Sequence, residues 1–378
     1  MAFITTSLEI SVLNKGFCVT LRSYTSDFQE RYSMNPIAIR LLNQQLASPV
    51  FSDPADVVSH MGAIQAQEYR LMRWAVAMRT QKPSSQAFTK AYNEGRIIRL
   101  HLLRGTWQLV AGEDYAWMLQ LCAPKSISVI KGWMHSNGID IPPKELASIS
   151  DILCRTAEEK GSVTKEDFVE ALSHKGITMD DHRLSYHIRM AELNGLLCSG
   201  NLLPTKATYS LTPQKVSPHP NTTNEDALLM LTRKYFQSHS PATLKDFVWW
   251  SGMNTGDCRK SIEALSNDLQ SVSWQGEKFY VHDSCRTRGF RKGQTLLMPS
   301  YDEYLIAYKS RDIVLPAEHS HRAHSNNGIF HPVIAHDGII CGNWKPFGKK
   351  LEATTFTPDM QIENINEAWK RYEQYQST

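Results

Sequence analysis

One pattern constrains this chain more than any other. The segment VTKEDFVEALSHKG, starting at Val163, is echoed by ATLKDFVWWSGMN, starting at Ala242. Each is preceded by a helical stretch and followed by a second helical stretch and two short apolar runs split by a polar turn. A pattern that recurs in this way predicts a repeated supersecondary unit. Three short helices closed by a hairpin are the winged-helix order. ISDILCRTAEEKG predicts a helix ending at Gly161, Thr164 a capped helix start, and DHRLSYHIRMAELNG a third helix with Leu184, Ile188, Ala191 and Leu193 buried. A hairpin is then expected across Gly200–Asn201. The second copy offers NEDALLMLTRKYFQSHS, a short helix opening near Thr243, TGDCRKSIEALSNDLQSV and a hairpin around Gly276.

An earlier stretch fits the same scheme more loosely. IAIRLLNQQL has helical apolar spacing, and a second helix is predicted from Ser52 or Asp53 with Pro54 in its first turn. SQAFTKAYNEG supplies a third helix. IIRLHLLRGTWQLVAG reads as two strands around Arg104, Gly105 and Thr106. The last hundred residues differ in kind. Short apolar runs broken by Gly, Asn and Pro predict a small β-domain, with a hairpin at Asp337–Gly338 and a closing amphipathic helix. The expected division is an N-terminal arm at 1–34, winged-helix units at 35–145, 146–215 and 220–284, and a C-terminal β-domain at 285–378.

Composition narrows the function. Of 378 residues, 42% are hydrophobic and 21% charged, which suits a globular chain. No run approaches the roughly 20 apolar residues of a membrane span, and no secretion signal opens the chain, so a soluble cytoplasmic protein is expected. The seven cysteines are scattered, odd in number and never spaced C-x-x-C, so free thiols are expected rather than disulfides or zinc. The formal charge of +3 permits nucleic-acid binding without predicting it. A repeated winged helix equally suits a protein-interaction module, because fold does not dictate function. Walker, G-x-S-x-G and H-E-x-x-H patterns are missing, which disfavours nucleotide hydrolysis, serine hydrolysis and zinc proteolysis.

More specific segments follow. RLLNQQLASP, DPADVVSHMGAIQAQEYRLMRWAVAMR, RLHLLRGTWQLVAGEDYAWM, RKYFQSHSPATLKDFVWWSGM, LLMPSYDEYLIAYKSR and NGIFHPVIAHDGIICGNW occur in that order over roughly residues 36–350. Together they resemble the AlkZ-like winged-helix DNA glycosylases specific for alkylated DNA. The resemblance implies an α+β chain of three tandem winged-helix units followed by a small C-terminal β-barrel-like domain, in a C shape around duplex DNA. It implies a catalytic pair of glutamines separated by one aliphatic or small residue, which falls on Gln65 and Gln67. A related branch tied to interstrand crosslink repair has Asp at the second position, so Gln67 places this chain nearer the branch acting on monoadducts. The Arg-Gly-Thr segment falls on Arg104, Gly105 and Thr106. Members of the family commonly carry His two residues after that Thr, where this chain has Gln108. That departure puts an identical substrate pocket in question.

Alkylation at N3 or N7 leaves a purine positively charged, so it departs without protonation and the site needs no strong general acid. A glutamine carbonyl can orient water, and its NH₂ can donate to sugar or phosphate oxygens. Residues at i and i+2 do not share a helix face, so a helix end or local bend is expected at the pair. Two helix glutamines exposed to solvent would be the plainer account. Glu68 is a neighbouring acid that could equally be a surface charge, while Asp53 and Asp56 suit the helix start.

Expected DNA contacts are Arg70 and Arg73, which could as well be paired within the protein, together with Arg104 and Thr106. Arg183 and Arg189 belong to the second unit, with Lys206 in its wing, and Arg259 and Lys260 to the third. Arg286, Arg288, Arg291 and Lys292 form the densest basic run. The His-rich segment 317–329 suggests a polar hairpin or loop with Arg322 at its centre, rather than a metal site. No cofactor or metal is expected. The expected partner is double-stranded DNA carrying alkylated bases, bound by a monomer. The rival is a noncatalytic winged-helix DNA-binding protein or transcriptional regulator.

Overall fold

The computed structural model describes residues 36–217 and 222–378. The expected N-terminal arm at 1–34, with its candidate strand pair and Cys18, lies outside the described residues. Helix α1 (Pro36–Asn43) comes first. It is followed by α2 (Pro54–Met61), β1 (Ile64–Gln65), α3 (Met72–Ala77), α4 (Ser85–Asn93), β2 (Ile97–His101) and β3 (Trp107–Ala111). The three strands form an antiparallel sheet in the order β1-β3-β2. Asp53 caps α2 by accepting from Ala55 N at 2.8 Å, with Pro54 at a position that needs no N–H donor.

The long α5 (Tyr115–Ser136) leads into a second copy of that order. It comprises α6 (Pro143–Lys160), β4 (Val163–Thr164), α7 (Lys165–Ser173), α8 (Asp181–Leu193), β5 (Leu197–Ser199) and β6 (Thr208–Leu211), with sheet order β4-β6-β5. A short α9 (Thr212–Lys215) ends it. The third copy has α10 (Asn224–His239), α11 (Leu244–Ser251), α12 (Thr255–Ala264) and the hairpin β7 (Leu269–Trp274) and β8 (Glu277–His282). There the first strand shrinks to one bridge between Ala242 and Tyr280. Thr164 with Asp167, and Thr243 with Asp246, both close full reciprocal capping boxes.

Several expectations need revision. In the first copy the opening helix is α2, and α1 packs elsewhere. The six-residue α3 is too short to show a helical period, so the sequence pattern passes over it. The second hairpin is not tight at Gly200–Asn201, because residues 200–207 separate β5 from β6. The first half of the His-rich segment is helical, a 3₁₀ turn (Ala317–His319) running into α14 (Ser320–Ala323), and the rest turns back in a short hairpin bridged between His324 and Phe330.

The C-terminal region overturns the expected barrel. Strands β9 (Thr295–Met298), β10 (Val333–His336), β11 (Ile339–Phe347) and β12 (Lys350–Thr355) form an open antiparallel sheet in the order β12-β11-β10-β9. Among the described residues no sheet closes on itself. Four short strands are too few to curl into a barrel around a filled interior. The apolar face is instead covered by α15 (Ile365–Ser377), through Trp369, Tyr372 and Tyr375, and by Ile37, Leu41, Leu42 and Trp74 from the start of the chain. The α+β class stands. The β10–β11 turn is the expected one, and its two residues, Asp337 at φ 47° and Gly338 at φ 83°, take the left-handed conformation that a two-residue hairpin demands. A side chain at 338 would sit 2.2 Å from Ile37 Cγ2.

Among the described residues no helix is long and apolar enough to cross a membrane. The six described cysteines are all free.

Candidate active site

The second sheet strand of the first unit puts Gln65 opposite Gln108. The backbone around Gln65 is tied down on every side. Its N–H donates to Glu303 Oε1 at 2.6 Å, and the next N–H, of Ala66, donates to Trp107 O at 2.8 Å. The Ala66 carbonyl accepts from Arg99 Nε at 3.2 Å and Nη2 at 3.0 Å. Arg99 is 5% exposed and stacks over Trp107, 3.7 Å from the ring centroid. The strand ends at Gln65, and Gln67 stands in a bend just beyond it. Gln65 is 4% exposed, whereas Gln67 is exposed.

The Gln65 amide is oriented as well as buried. Its Oε1 accepts from Gln108 Nε2 at 2.5 Å and lies 3.2 Å from Thr106 Oγ1. The single Thr106 hydroxyl proton serves both Gln65 and the Leu103 carbonyl, 3.0 Å away. The second hydrogen of Gln108 Nε2 reaches Thr106 Oγ1 at 2.9 Å. Gln108 is 1% exposed, and its own Oε1 finds no partner among the described residues. With its carbonyl occupied, Gln65 keeps its NH₂ to offer. The position at which the sequence departs from the expected His is therefore in direct contact with the first glutamine.

Three distant segments meet here. Arg104, in the left-handed region at φ 56°, turns its guanidinium inward and donates through Nη1 to Trp249 O at 3.1 Å and Trp250 O at 2.7 Å. Gly252 makes room for it, since a Cβ there would lie 3.2 Å from Arg104 Cγ. Trp250 Nε1 donates to Glu303 Oε2 at 2.9 Å. His239, fully buried, has its Nε2 3.6 Å from the same oxygen, and burial holds its pKa below the ordinary histidine value. Beside Glu303, Asp302 takes two hydrogen bonds from Arg79 at 2.7 and 2.9 Å, with neither side chain exposed.

A sequence profile of the DNA glycosylase AlkZ-like family matches residues 58–369. The chain belongs to the AlkZ-like family. A Streptomyces sahachiroi protein named interstrand DNA cross-link repair glycosylase is 23% identical over 350 residues, which span 86% of this chain and 90% of that one. The structure of Streptomyces sahachiroi DNA glycosylase AlkZ superimposes with a TM-score of 0.71 at 20% identity, covering 90% of this chain and 96% of that one. At such identity the superposition speaks for the fold.

In this AlkZ-like protein the other expected site residues are placed as follows. Arg70 is exposed. Arg73 clasps the loop of the second hairpin, donating to Leu203 O at 2.7 Å and Pro204 O at 3.0 Å. Arg183 pairs with Glu145 at 2.5 Å, and Arg189 donates to Gly105 O at 2.6 Å. Lys206 pairs with Glu166 at 2.8 Å. Arg259 and Lys260 are exposed on α12, and Arg288, Arg291 and Lys292 are exposed in the run before β9. Arg286 donates to Ser48 O at 2.8 Å and Arg322 to Phe356 O at 2.7 Å. Glu68 turns to its own backbone, accepting from Leu71 N at 2.5 Å and Arg70 N at 3.3 Å, so it serves the start of α3.

Glu303, Trp250 and Arg99 were not among the expected site residues. No local pattern marks them, because each acts through a partner far away in sequence. A cleft of about 480 Å³, lined by Arg104, Trp133, Tyr186 and Arg189 among others, adjoins the Leu102–Thr106 turn. No carboxylate or histidine lines it.

Proposed function

We propose that this AlkZ-like protein is a monofunctional DNA glycosylase that hydrolyses the N-glycosidic bond of N3- or N7-alkylated purines in duplex DNA, acting as a monomer. The observation that carries the proposal is the buried, doubly held amide of Gln65 at the end of β1, beside the exposed Gln67 in the bend that follows it. Such an arrangement positions neutral dipoles and offers no free acid. It suits a leaving base that is already cationic and needs only a placed water and a tolerated sugar cation. Because the Gln65 carbonyl is occupied within the protein, its NH₂ is the group left to donate to a sugar or phosphate oxygen. The task of accepting from the attacking water then falls to the Gln67 carbonyl.

The exposed cations Arg259, Lys260, Arg288 and Arg70 are proposed to meet phosphates. Arg73, Arg183, Arg189, Arg104, Arg286 and Arg322 are proposed to shape that surface, since each already holds a carbonyl or carboxylate of the protein. The name of the Streptomyces sahachiroi relative points toward crosslinked DNA. Gln67, rather than Asp, points toward monoadducts.

The test is base release. Purified protein is incubated with duplexes carrying N7-methylguanine, N3-methyladenine or a bulky N7 crosslink, beside Gln65→Ala and Gln67→Ala. Freed base from the wild type, lowered at least tenfold in both variants at unchanged DNA affinity, is the expected result. Tight, salt-dependent binding with no release from any substrate would make it a noncatalytic DNA-binding protein.

A further inference from the structure

We infer that Glu303 is a positioning residue of the reaction centre, acting through the backbone of Gln65; the inference rests on the glycosylase reading above. Glu303 opens α13 (Glu303–Ile306), 238 residues beyond Gln65, and is 1% exposed. Its two carboxylate oxygens have different duties. Oε1 takes the Gln65 N–H at 2.6 Å, and Oε2 takes the Trp250 indole N–H at 2.9 Å.

These bonds belong to a closed ring. From Glu303 it runs to Trp250, whose carbonyl is held by Arg104 at 2.7 Å. Arg104 leads through Gly105 to Thr106, which lies 3.2 Å from the Gln65 amide oxygen. The Gln65 N–H returns to Glu303. Gln65 is thus fixed at its backbone by one arm and at its side chain by the other. Glu303 cannot give way to follow a displaced strand, because the preceding Asp302 is locked to Arg79 by two bonds with both side chains fully buried.

The chemistry of the position demands a carboxylate. The two groups within hydrogen-bond distance of Glu303, the Gln65 N–H and the Trp250 indole N–H, are donors with no acceptor capacity, with His239 Nε2 farther off at 3.6 Å, and a carboxylate presents two acceptor oxygens. An amide of the same shape presents one. Whichever way a glutamine turned here, its NH₂ would face an N–H. A residue that merely filled space would tolerate that exchange in shape. A residue that sets the height of the Gln65 strand would not.

The test compares Glu303→Gln, Trp250→Phe and the double variant in single-turnover base release at saturating enzyme, with DNA affinity and thermal unfolding measured in parallel. Glu303→Gln is expected to slow release at least tenfold while DNA affinity stays within twofold. In the double variant the indole donor is gone, and the glutamine carbonyl is free to turn to the Gln65 N–H. Its rate is expected to recover at least threefold over Glu303→Gln. A purely structural role predicts the reverse: unchanged rate well below the unfolding midpoint, and no rescue. Wild-type rate in Glu303→Gln, beside an active wild type and an impaired Gln65→Ala, overturns this inference alone. No release by the wild type overturns the glycosylase reading and this inference with it. If Glu303→Gln does not fold, Glu303→Asp carries the test: it keeps the charge but draws the carboxylate back from the Gln65 N–H, and a wild-type rate in it overturns the inference.

Discussion

Replacing Gln108 by Leu separates stability from chemistry. The change removes two hydrogen bonds given by Nε2, to Gln65 Oε1 and Thr106 Oγ1. At about 1 kcal/mol net each, that costs about 2 kcal/mol. It also removes a buried Oε1 with no partner among the described residues, which returns about 1–3 kcal/mol of desolvation penalty. Leucine fits the volume, so the net stability change is expected within about 1 kcal/mol of zero. The rate is not protected in the same way. Gln65 Oε1 keeps only a share of the Thr106 hydroxyl, and its amide is free to rotate. A misplacement of about 1 Å costs on the order of 10²-fold in rate. Gln108→His restores a ring N–H donor and is expected to release base at least tenfold faster than Gln108→Leu. Single-turnover release from an N7-methylguanine duplex, beside thermal unfolding, reads both quantities. A Gln108→Leu protein with unchanged stability and wild-type release would refute the claim that this bond orients Gln65.

Two further outcomes are expected. Asp302→Asn leaves Arg79 buried without its charge partner, at about 3–5 kcal/mol. Its unfolding midpoint should fall by at least about 5 °C, and Arg79→Met with Asp302→Leu should regain most of it; a single-variant loss below about 1 kcal/mol would count against a tight pair. Asp167 is held down to about 2 by Lys160 and by the Thr164 cap. Its folded pKa lies below its unfolded value, so its contribution is full above the unfolded value and is lost as pH falls toward 2. The midpoint difference between wild type and Asp167→Asn should therefore shrink between pH 5 and pH 2, and a difference that stays constant would remove the ion pair and cap as its cause.

The repeat was legible because capping and periodicity are local. Thr164 and Thr243 start their helices, and Asp337–Gly338 turns its hairpin, for reasons that span only a few residues. The small α3 and the two-residue β1 fall below the length at which a period can be seen. Of the helix end or local bend expected at the two glutamines, the bend is what the structure has, at Gln67, after a strand that ends at Gln65. The barrel failed on a different ground. Short strands with turn signals look alike whether a sheet closes or stays open, and the exposed pattern of β12 marks an edge only once its neighbours are known. Gln65, Thr106 and Gln108 stood out in the sequence, yet what holds them did not. Glu303 and Trp250 carry no signature, because their meaning lies in contacts across 53 to 238 residues.

That separation has a consequence for how the protein comes into being. Ribosomes emit roughly 5–20 residues each second, and domains fold as they emerge. Gln65 leaves the ribosome long before Glu303, 238 residues behind it, has been made. For roughly 10–50 s of synthesis the strand that carries Gln65 lacks its anchor. The surroundings of Gln65 stay incomplete until the last quarter is translated. Truncated products of interrupted translation would then carry Gln65 without the carboxylate that holds its N–H.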